Sequence, residues 1–324
     1  MKWRHLAALG SISLATLGVG MAIKSSLPRP LLLDSPYERG KTLDTSAFPD
    51  IDVTFLRCGS ITIPEFIAVR GAFSFAPRTI AHSAVLVQHP KATFLYDTGL
   101  CSDISLFLID QSLFFRKTLA NFTFELSLVE HLERRAIKPQ DLDFALISHL
   151  HWDHVSGIPD IPRVPLRINR VEFEAAQQGI LQQHQELSQR LMGNNPVELF
   201  DCTGPAYEGF RSSYDLFGDG SIVLVPLAGH TAGNTGMFIN RSNGSRLFLL
   251  GDAAWVAENY LRPATMHPFI WSRVTGNDAL ACQTLVELHY FSCRHPEIPM
   301  IAMHDARMQE AFMRIEQPLP NQVG

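Results

Sequence analysis

Short apolar runs alternate with amphipathic stretches along the chain from about Ile51 onward. Apolar runs bounded by turn residues are typical of buried strands, and their alternation with helical patterns favours an α/β architecture. Two β-rich runs, 83–88 and 93–96, are joined by His89-Pro90-Lys91-Ala92, which predicts a hairpin. Residues 126–136 are predicted to form a helix, because three apolar side chains follow helical spacing there: Leu128, Leu132 and Ala136.

The predicted strands share a feature at their carboxyl ends, where an Asp or a His follows each of them. Strand 93–96 stops at Asp97. The strands 144–147, 222–225, 247–250 and 300–303 are followed in turn by His149, His230, Asp252 and His304. In open α/β sheets, ligands bind outside the carboxyl ends of the strands. We therefore expect these side chains to contribute to one site.

The segment after strand 144–147 has the pattern His149-x-His151-x-Asp153-His154. Two His at positions i and i+2 beyond a strand end point the same way, and imidazole is a common zinc ligand. Asp153 and His154 follow, and they can reach a second ion. Metal ligands usually converge from distant chain positions. The candidates that complete the set are His230, Asp252 and His304.

The overall composition excludes several classes of protein. The chain has 324 residues, 46% of them hydrophobic and 18% charged, which is ordinary for a globular protein and excludes a disordered, collagen-like or coiled-coil chain. The formal net charge is -5 and no block of like charges occurs, so we expect no nucleic-acid partner. The five cysteines are scattered and form no C-x-x-C pair, which argues against a disulfide framework.

The N-terminus has the pattern of an export signal or a membrane anchor. Lys2 and Arg4 precede an uncharged, mainly apolar run over residues 6–23. This order is typical of a secretory signal, and the 18-residue run is also at the lower limit for crossing a bilayer. A buried helix is the alternative. The expected organisation is a signal peptide or anchor at 1–23, a linker at 24–50 and a folded domain at 51–324. Both targeting interpretations predict export to the periplasmic or extracytoplasmic side, with membrane contact through the N-terminus in the anchored case.

These motifs together resemble those of the metallo-β-lactamase-fold hydrolases. The resemblance extends from about Ile51 to Arg314, through HLHWDH at 149–154, GHTAGN around His230, GD at Asp252 and MHD at His304. It implies an α/β (α+β) fold, a four-layer αβ/βα sandwich with the site at one edge of two packed sheets. It also implies two divalent metal ions, with zinc as the expected metal. By this resemblance one ion is held by His149, His151 and His230. The other is held by Asp153, His154 and His304, and Asp252 bridges both.

Within that superfamily the chain looks most like the N-acyl-homoserine lactonases. The shared features are the hairpin VLVQHPKATFLYDTG, the approach KPQDLDFALISHLHWDH, and GDAAW followed by a long helical segment before MHD. One position departs from the pattern, because those lactonases carry a Tyr three residues after the bridging Asp and this chain has Trp255. An indole N–H donates a hydrogen bond but has no acid function. Trp255 therefore weakens the expectation of lactone hydrolysis more than the expectation of metal-dependent hydrolysis.

The resemblance implies hydrolysis of an ester or lactone by a water that the two ions share and activate. Asp252 is the expected proton relay, and Asp153 is the second expected catalytic residue. The expected partner is a small-molecule substrate, with an acyl chain in the lactonase case. The alternatives are a phosphodiesterase or a glyoxalase II-like thioesterase of the same fold. Both remain open because a two-metal site can catalyse either hydrolysis. Redox chemistry at iron and a membrane-tethered binding protein are further alternatives, and the oligomeric state stays open.

Three apolar stretches, residues 72–76, 106–115 and 255–271, have two interpretations. If they are exposed together they suit an acyl chain or a membrane surface, and if they are buried they are ordinary core packing. Asp97 is expected to accept the spare N–H of a ligand His, with a strand-end turn as the alternative. Two further histidines, His82 and His267, lie in segments that can line the cleft.

Overall fold

The computed structural model describes residues 27–29, 31, 48–181, 183–184 and 186–316. The expected signal or anchor at 1–23 lies outside these residues, and so does most of the expected linker at 24–50. Within the described part of the chain, no helix is both long enough and apolar enough to cross a bilayer.

Seven strands form the first sheet, in the order β4-β1-β2-β3-β5-β6-β7. Their bounds are β1 Asp52–Pro64, β2 Pro77–His89, β3 Ala92–Thr98, β4 Thr123–Phe124, β5 Phe144–Ile147, β6 Leu166–Asn169 and β7 Val197–Phe200. The strands β1, β2 and β3 pair antiparallel, and β3, β5, β6 and β7 pair parallel. Because β3 and β5 are parallel neighbours, their carboxyl ends lie at the same edge of the sheet.

Five strands form the second sheet, in the order β12-β11-β10-β9-β8. Their bounds are β8 Tyr214–Asp215, β9 Ile222–Pro226, β10 Thr235–Asn240, β11 Arg246–Leu249 and β12 Met300–Ile301. Both β9 and β11 pair antiparallel with β10, and β12 pairs parallel with β11. The carboxyl ends of β9, β11 and β12 therefore lie at one edge of this sheet.

Helices occupy the connections between the strands. Their bounds are α1 Glu65–Ala68, α2 Ile104–Leu108, α3 Leu113–Thr118, α4 Leu128–Glu133, α5 Trp152–Val155, α6 Arg170–Ala176, α7 Leu187–Met192, α8 Ala257–Leu261, α9 Pro268–Val274, α10 Asp278–Arg294 and α11 Ala306–Glu316. Two short 3-10 helices span Pro139–Asp141 and Ile158–Asp160. The side chain of Asn277 begins α10 by accepting the N–H of Leu280.

Three apolar cores separate the layers of the fold. The central core lies between the sheets, where Val85 and Leu146 of the first sheet pack with Leu224 of the second. Alternate residues of the first sheet face the other way, as Leu86 does, and pack beneath α2, α4, α5 and α7. The outer face of the second sheet packs against α8, α9 and α10. The predicted αβ/βα sandwich is confirmed.

The hairpin predicted between 83–88 and 93–96 is confirmed, since β2 and β3 pair antiparallel up to His89 with Ala92. The helix predicted over 126–136 is shorter than expected. Its first residue is fixed by a capping box in which the side chains of Ser127 and Glu130 bond to each other's backbone N–H groups. It ends at Glu133, and Ala136 is exposed with a φ of 56°, which no helical residue adopts.

Candidate metal centre

The expected His and Asp side chains meet at the edge where the carboxyl ends of five strands lie. The seven candidates from the sequence are His149, His151, Asp153, His154, His230, Asp252 and His304, and one further residue, His82, joins them. Together they form three groups that could each hold a metal ion, with the ligand atoms of each group within 4.8 Å of one another. The groups are His149, His151 and His230; His82, Asp153 and His304; and His149, His154 and Asp252.

The first group consists of three imidazoles around His151. The Nδ1 atom of His151 lies 3.1 Å from Nε2 of His149 and 2.8 Å from Nε2 of His230. Burial lowers the pKa of all three rings, to about 4 for His151, to about 3 for His230 and well below the usual value for His149. These rings are therefore neutral at physiological pH, and neutral imidazole is the form that binds metal ions.

Asp252 lies between the groups. Its Oδ2 atom is 3.0 Å from Nε2 of His304 and 3.4 Å from Nε2 of His230, and its Oδ1 atom is 3.3 Å from Nε2 of His154. Burial opposes ionisation here, but His304 and His154 outweigh it and hold the pKa of Asp252 well below its ordinary value. One ionised carboxylate therefore faces both sides of the site.

His82 takes a place that the strand-end pattern did not assign to it. Its Nδ1 atom lies 3.3 Å from Oδ2 of Asp153, and Nε2 of His304 lies 3.4 Å from the same oxygen. The resemblance groups Asp153 and His304 with His154, whereas this structure groups them with His82. His82 lies within β2 rather than after a strand, so its sequence position gave no strong signal. His267 has another role, because its side chain accepts the N–H of Phe269 at the start of α9.

Several buried polar atoms of this site have no hydrogen-bond partner among the described residues. They are both ring nitrogens of His82, Nε2 of His154 and Oδ1 of Asp252. Buried polar atoms in proteins nearly always have a partner. Converging imidazole nitrogens and carboxylate oxygens are ligands that suit zinc and related divalent ions. The residues present therefore fit a metal centre.

Asp97 orients one of these histidines, as the sequence led us to expect. Its Oδ2 atom accepts the Nδ1–H of His154 at 2.7 Å, and its Oδ1 atom accepts the backbone N–H of Ser148 at 2.7 Å. Although burial alone lowers it, the pKa of His154 is raised well above its ordinary value by Asp252 and Asp97. With Nδ1 committed to Asp97, the other ring nitrogen faces Asp252.

Glu172 joins two of the loops that carry the candidate ligands. This buried side chain of α6 accepts the N–H of Leu150 at 2.8 Å and the N–H of Gly233 at 2.9 Å. Leu150 lies between two histidines of the first group, and Gly233 follows the third. A Cβ at position 233 would lie 2.4 Å from the backbone nitrogen of Glu172, so only glycine fits there. Glu172 could not be identified from the sequence, because a lone acidic residue in a helix belongs to no motif.

We expect Glu172→Ala to lower the free energy of unfolding by about 2–4 kcal/mol, because two buried N–H groups lose their charged acceptor. Chemical denaturation measures this difference. The matched control is Glu174→Ala, an exposed carboxylate on the same helix, which is expected to change stability by less than about 0.5 kcal/mol. Equal stability of the two variants would contradict the role assigned to Glu172.

A partly open cavity lies beside the candidate ligands. His151, Asp252 and His304 lie at one end of it. Its walls are mainly apolar and include Ile61, Ile63, Ile67, Phe115, Leu119, Ile270 and Val274. Small-molecule sites typically combine apolar walls with a few convergent polar groups. This cavity suits a molecule that has a polar reacting group and an apolar chain.

The three apolar stretches of the sequence, 72–76, 106–115 and 255–271, are partly exposed or cavity-lining and partly ordinary core packing. Phe115 and Trp255 line the cavity, Tyr260 and Met266 are buried on the second sheet, and Phe73, Phe75 and Phe269 are exposed. Trp255 also contacts the polar site directly. Its indole Nε1–H donates to Oδ2 of Asp252 at 3.0 Å, and its ring meets that of His304 edge to face.

Sequence comparison with curated proteins finds N-acyl homoserine lactonases. The chain is 26% identical over 179 residues to the N-acyl homoserine lactonase of Bacillus cereus, an alignment that covers 54% of this chain and 64% of that protein. It is 25% identical over 167 residues to the N-acyl homoserine lactonase of Agrobacterium fabrum, which covers 50% of this chain and 60% of that protein. The chain thus spans less than two thirds of the length of these relatives.

Comparison with solved structures finds the same fold. An N-acyl homoserine lactone hydrolase with N-hexanoyl-L-homoserine bound at its catalytic metal centre superposes with a TM-score of 0.62 at 17% identity, covering 82% of this chain and 96% of that one. A probable metal-dependent hydrolase from Staphylococcus aureus superposes with a TM-score of 0.56 at 17% identity, covering 80% of this chain and 90% of that one.

The family model of the metallo-beta-lactamase superfamily matches residues 78–279, which is more than half of the chain. This range includes nearly all of β2, the segment after β5 and the turns that carry His230 and Asp252. The chain therefore belongs to the metallo-β-lactamase superfamily, as the sequence motifs led us to expect.

Proposed function

We propose that this protein is a dinuclear metal-dependent hydrolase that cleaves a lactone or a related carboxylic ester bearing an acyl chain, similar to an N-acyl-homoserine lactone. The observation that carries the proposal is the position of Asp252. Its carboxylate lies within 3.4 Å of ring nitrogens of His154, His230 and His304, beside an apolar cavity. The lactonases among the relatives support the same substrate class.

The residues proposed to hold the two ions share Asp252. One ion would be held by His149, His151 and His230, which the structure brings together. The other would be held by Asp153, His154 and His304, the set that the family resemblance implies, with His82 in contact with Asp153. Such ions, when bound, polarise a carbonyl and lower the pKa of water from 15.7 to about 7. We propose zinc, because it is commonly bound by imidazole and carboxylate ligands.

Asp252 is the proposed proton relay. It is ionised at neutral pH because His304 and His154 lower its pKa, and its Oδ1 atom has no hydrogen-bond partner among the described residues. An ionised carboxylate at this position can take up a proton and return it to the leaving oxygen. Asp153 is the second proposed catalytic residue. Its pKa is lowered by His154 and His82 despite burial, so it keeps a negative charge beside His304.

The substrate class is tested by a panel of substrates. The full chain, loaded with zinc, would be assayed by proton release on N-acyl-homoserine lactones of increasing chain length, on thioesters and on phosphodiesters. The apolar walls of the cavity predict that kcat/KM for lactones rises with acyl length. Faster turnover of phosphodiesters or thioesters than of every lactone would overturn the proposed substrate and retain the hydrolase.

We expect Trp255→Phe to lower kcat about 10-fold, because it removes a hydrogen bond of about 1.5 kcal/mol to the Asp252 carboxylate. Metal content, measured on the same samples, is expected to stay unchanged. Trp271→Phe is the matched control, since that indole donates to Asp278, 2.7 Å away, which is not one of the candidate ligands. An unchanged kcat for Trp255→Phe would contradict a role of this N–H in turnover.

Export is the proposed localisation. It is supported by the basic residues Lys2 and Arg4, followed by the apolar run at 6–23. Fractionation of cells that express the full chain tests it, because an exported protein is degraded by protease added to cells whose outer barrier is opened. Complete protection under those conditions would overturn the proposal.

A further inference from the structure

One face of the protein exposes several large apolar side chains. Phe75 is 82% exposed, Phe73 62%, Phe269 43% and Phe114 38%. We call Phe73, Phe75, Leu113, Phe114 and Phe269 the aromatic face. Contiguous apolar surface of this kind marks an interaction site, whereas isolated exposed hydrophobic residues do not.

Ring contacts connect the aromatic face. Phe114 lies 6.1 Å from Phe269 between ring centroids. On the other side, His267 contacts Phe66, which in turn contacts Phe75 at 5.1 Å. His267 is the residue that begins α9, so it is close to Phe269 in the chain. Ring contacts therefore link the loop after α1 to the start of α9, and α9 to α3.

The elements that carry the aromatic face also form walls of the cavity. Phe114 of α3 is exposed while its neighbour Phe115 lines the cavity. Phe269 of α9 is exposed while Ile270 lines the cavity, and Ile67 of α1 does so as well. The outer surface beside the cavity is therefore apolar on several sides.

The segments that carry the aromatic face are basic, although the chain as a whole has a formal net charge of -5. The three segments that build it, 66–76, 113–118 and 268–274, contain four basic residues and no acidic one. The basic residues are Arg70, Arg116, Lys117 and Arg273. The guanidinium of Arg273 lies 3.9 Å from the ring centroid of Phe269 and 5.3 Å from that of Phe114. Basic groups interleaved with aromatic rings suit an anionic lipid surface.

The N-terminal apolar run joins the protein close to this face. The carbonyl oxygen of Leu27 accepts a hydrogen bond from Nε of Arg70 at 2.8 Å, and Pro28 packs beside Gly71. Arg29 pairs with Asp278 at the start of α10. The run at 6–23 ends four residues before Leu27 in the sequence.

We propose that the aromatic face rests on an anionic phospholipid bilayer, the same one into which the run at 6–23 inserts. The aromatic rings enter the interface, Arg116, Lys117 and Arg273 contact the phosphates, and the cavity lies next to the lipid. A substrate with an acyl chain, concentrated in that bilayer, then has a short path to the site. The docking surface itself does not depend on which bond the enzyme cleaves.

The test uses the full chain in vesicles of phosphatidylglycerol and phosphatidylcholine, with bromine atoms on the acyl chains near the headgroups. A tryptophan is introduced by Phe75→Trp, and its quenching is measured as the difference from the unmodified chain. Ile315→Trp is the control, since Ile315 is 78% exposed on α11. The next residue, Glu316, pairs with Arg241 after β10, at the end of the second sheet away from Asp252. We expect several-fold stronger quenching for Phe75→Trp than for Ile315→Trp, reduced when Arg116→Glu and Lys117→Glu are added.

Three results would overturn the proposal. The first is equal quenching of the two introduced tryptophans when the chain sediments with the vesicles. In that case the run at 6–23 alone would attach the protein to the membrane. The second is an emission typical of a buried indole without quenching, which would mean that another segment or a second copy covers the face. If the molecular mass of the protein in solution doubled as its concentration rose, a second copy would be what covers the face. The third is no sedimentation of the chain with the vesicles.

Discussion

Replacing Asp252 with alanine is expected to reduce metal-dependent hydrolysis about 1000-fold or more and to lower the amount of metal bound per chain. The carboxylate lies between the imidazole groups, with His304 and His154 at 3.0 and 3.3 Å from its two oxygens. Its loss removes the proposed shared ligand and the proposed proton relay together. Stabilisation of a charged transition state at such a site amounts to several kcal/mol, and each 1.36 kcal/mol is a factor of ten in rate.

Turnover and metal content are measured on the same preparation of the Asp252→Ala protein. Asp52→Ala is the control, because Asp52 is exposed at the start of β1 and far from the site in the chain. The control is expected to keep full activity and full metal loading. Full activity and full loading of Asp252→Ala would refute the central role of this carboxylate, and a normal circular dichroism spectrum would exclude misfolding as the cause of a loss.

Arg78→Met is expected to lower the free energy of unfolding by about 3–5 kcal/mol. Arg78 is 1% exposed, and its guanidinium binds both carboxylate oxygens of Glu258 at 2.9 and 2.8 Å and Oδ2 of Asp305 at 3.1 Å. Removal of the cation leaves the fully buried Asp305 without its charge partner. Asp305 follows His304 directly and accepts the N–H of Ala257, so the variant is also expected to weaken metal binding.

Arg167→Met is the matched control for this stability measurement by urea denaturation. Arg167 pairs with Glu198 at 2.9 Å, but the two side chains are 32% and 51% exposed. Exposed pairs contribute about 0–1 kcal/mol, so the control is expected to cost little. A loss for Arg78→Met that is no larger than the loss for Arg167→Met would contradict the structural role of the buried cluster.

Much of the site could be predicted from the sequence because its residues follow strands. His149, His230, Asp252 and His304 each come after a short apolar run, and strand ends are the positions that a sheet brings to one edge. The family resemblance then supplied the sandwich of two sheets, which apolar patterning alone does not specify. The same patterning overestimated α4, because Ala136 has helical spacing but a left-handed backbone.

The residues whose roles the sequence did not specify act across the fold. His82 lies within β2 and reaches Asp153 only through the packing of the loop after β5 against that strand. Glu172 contacts backbone N–H groups on two loops, a role that any buried carboxylate could fill and that has no spacing rule. Whether Phe114 or Phe115 is exposed depends on the orientation of a six-residue helix, which is too short for its periodicity to decide.

The most direct test of the dinuclear hydrolase is a zinc titration of the full chain after its metal has been removed with a chelator. Bound zinc is measured by elemental analysis, and hydrolysis of an N-acyl-homoserine lactone is measured by proton release on the same samples. The dinuclear mechanism predicts no turnover without metal and full turnover when two ions are bound per chain. Turnover by the metal-free protein, or saturation at a single ion, would contradict it.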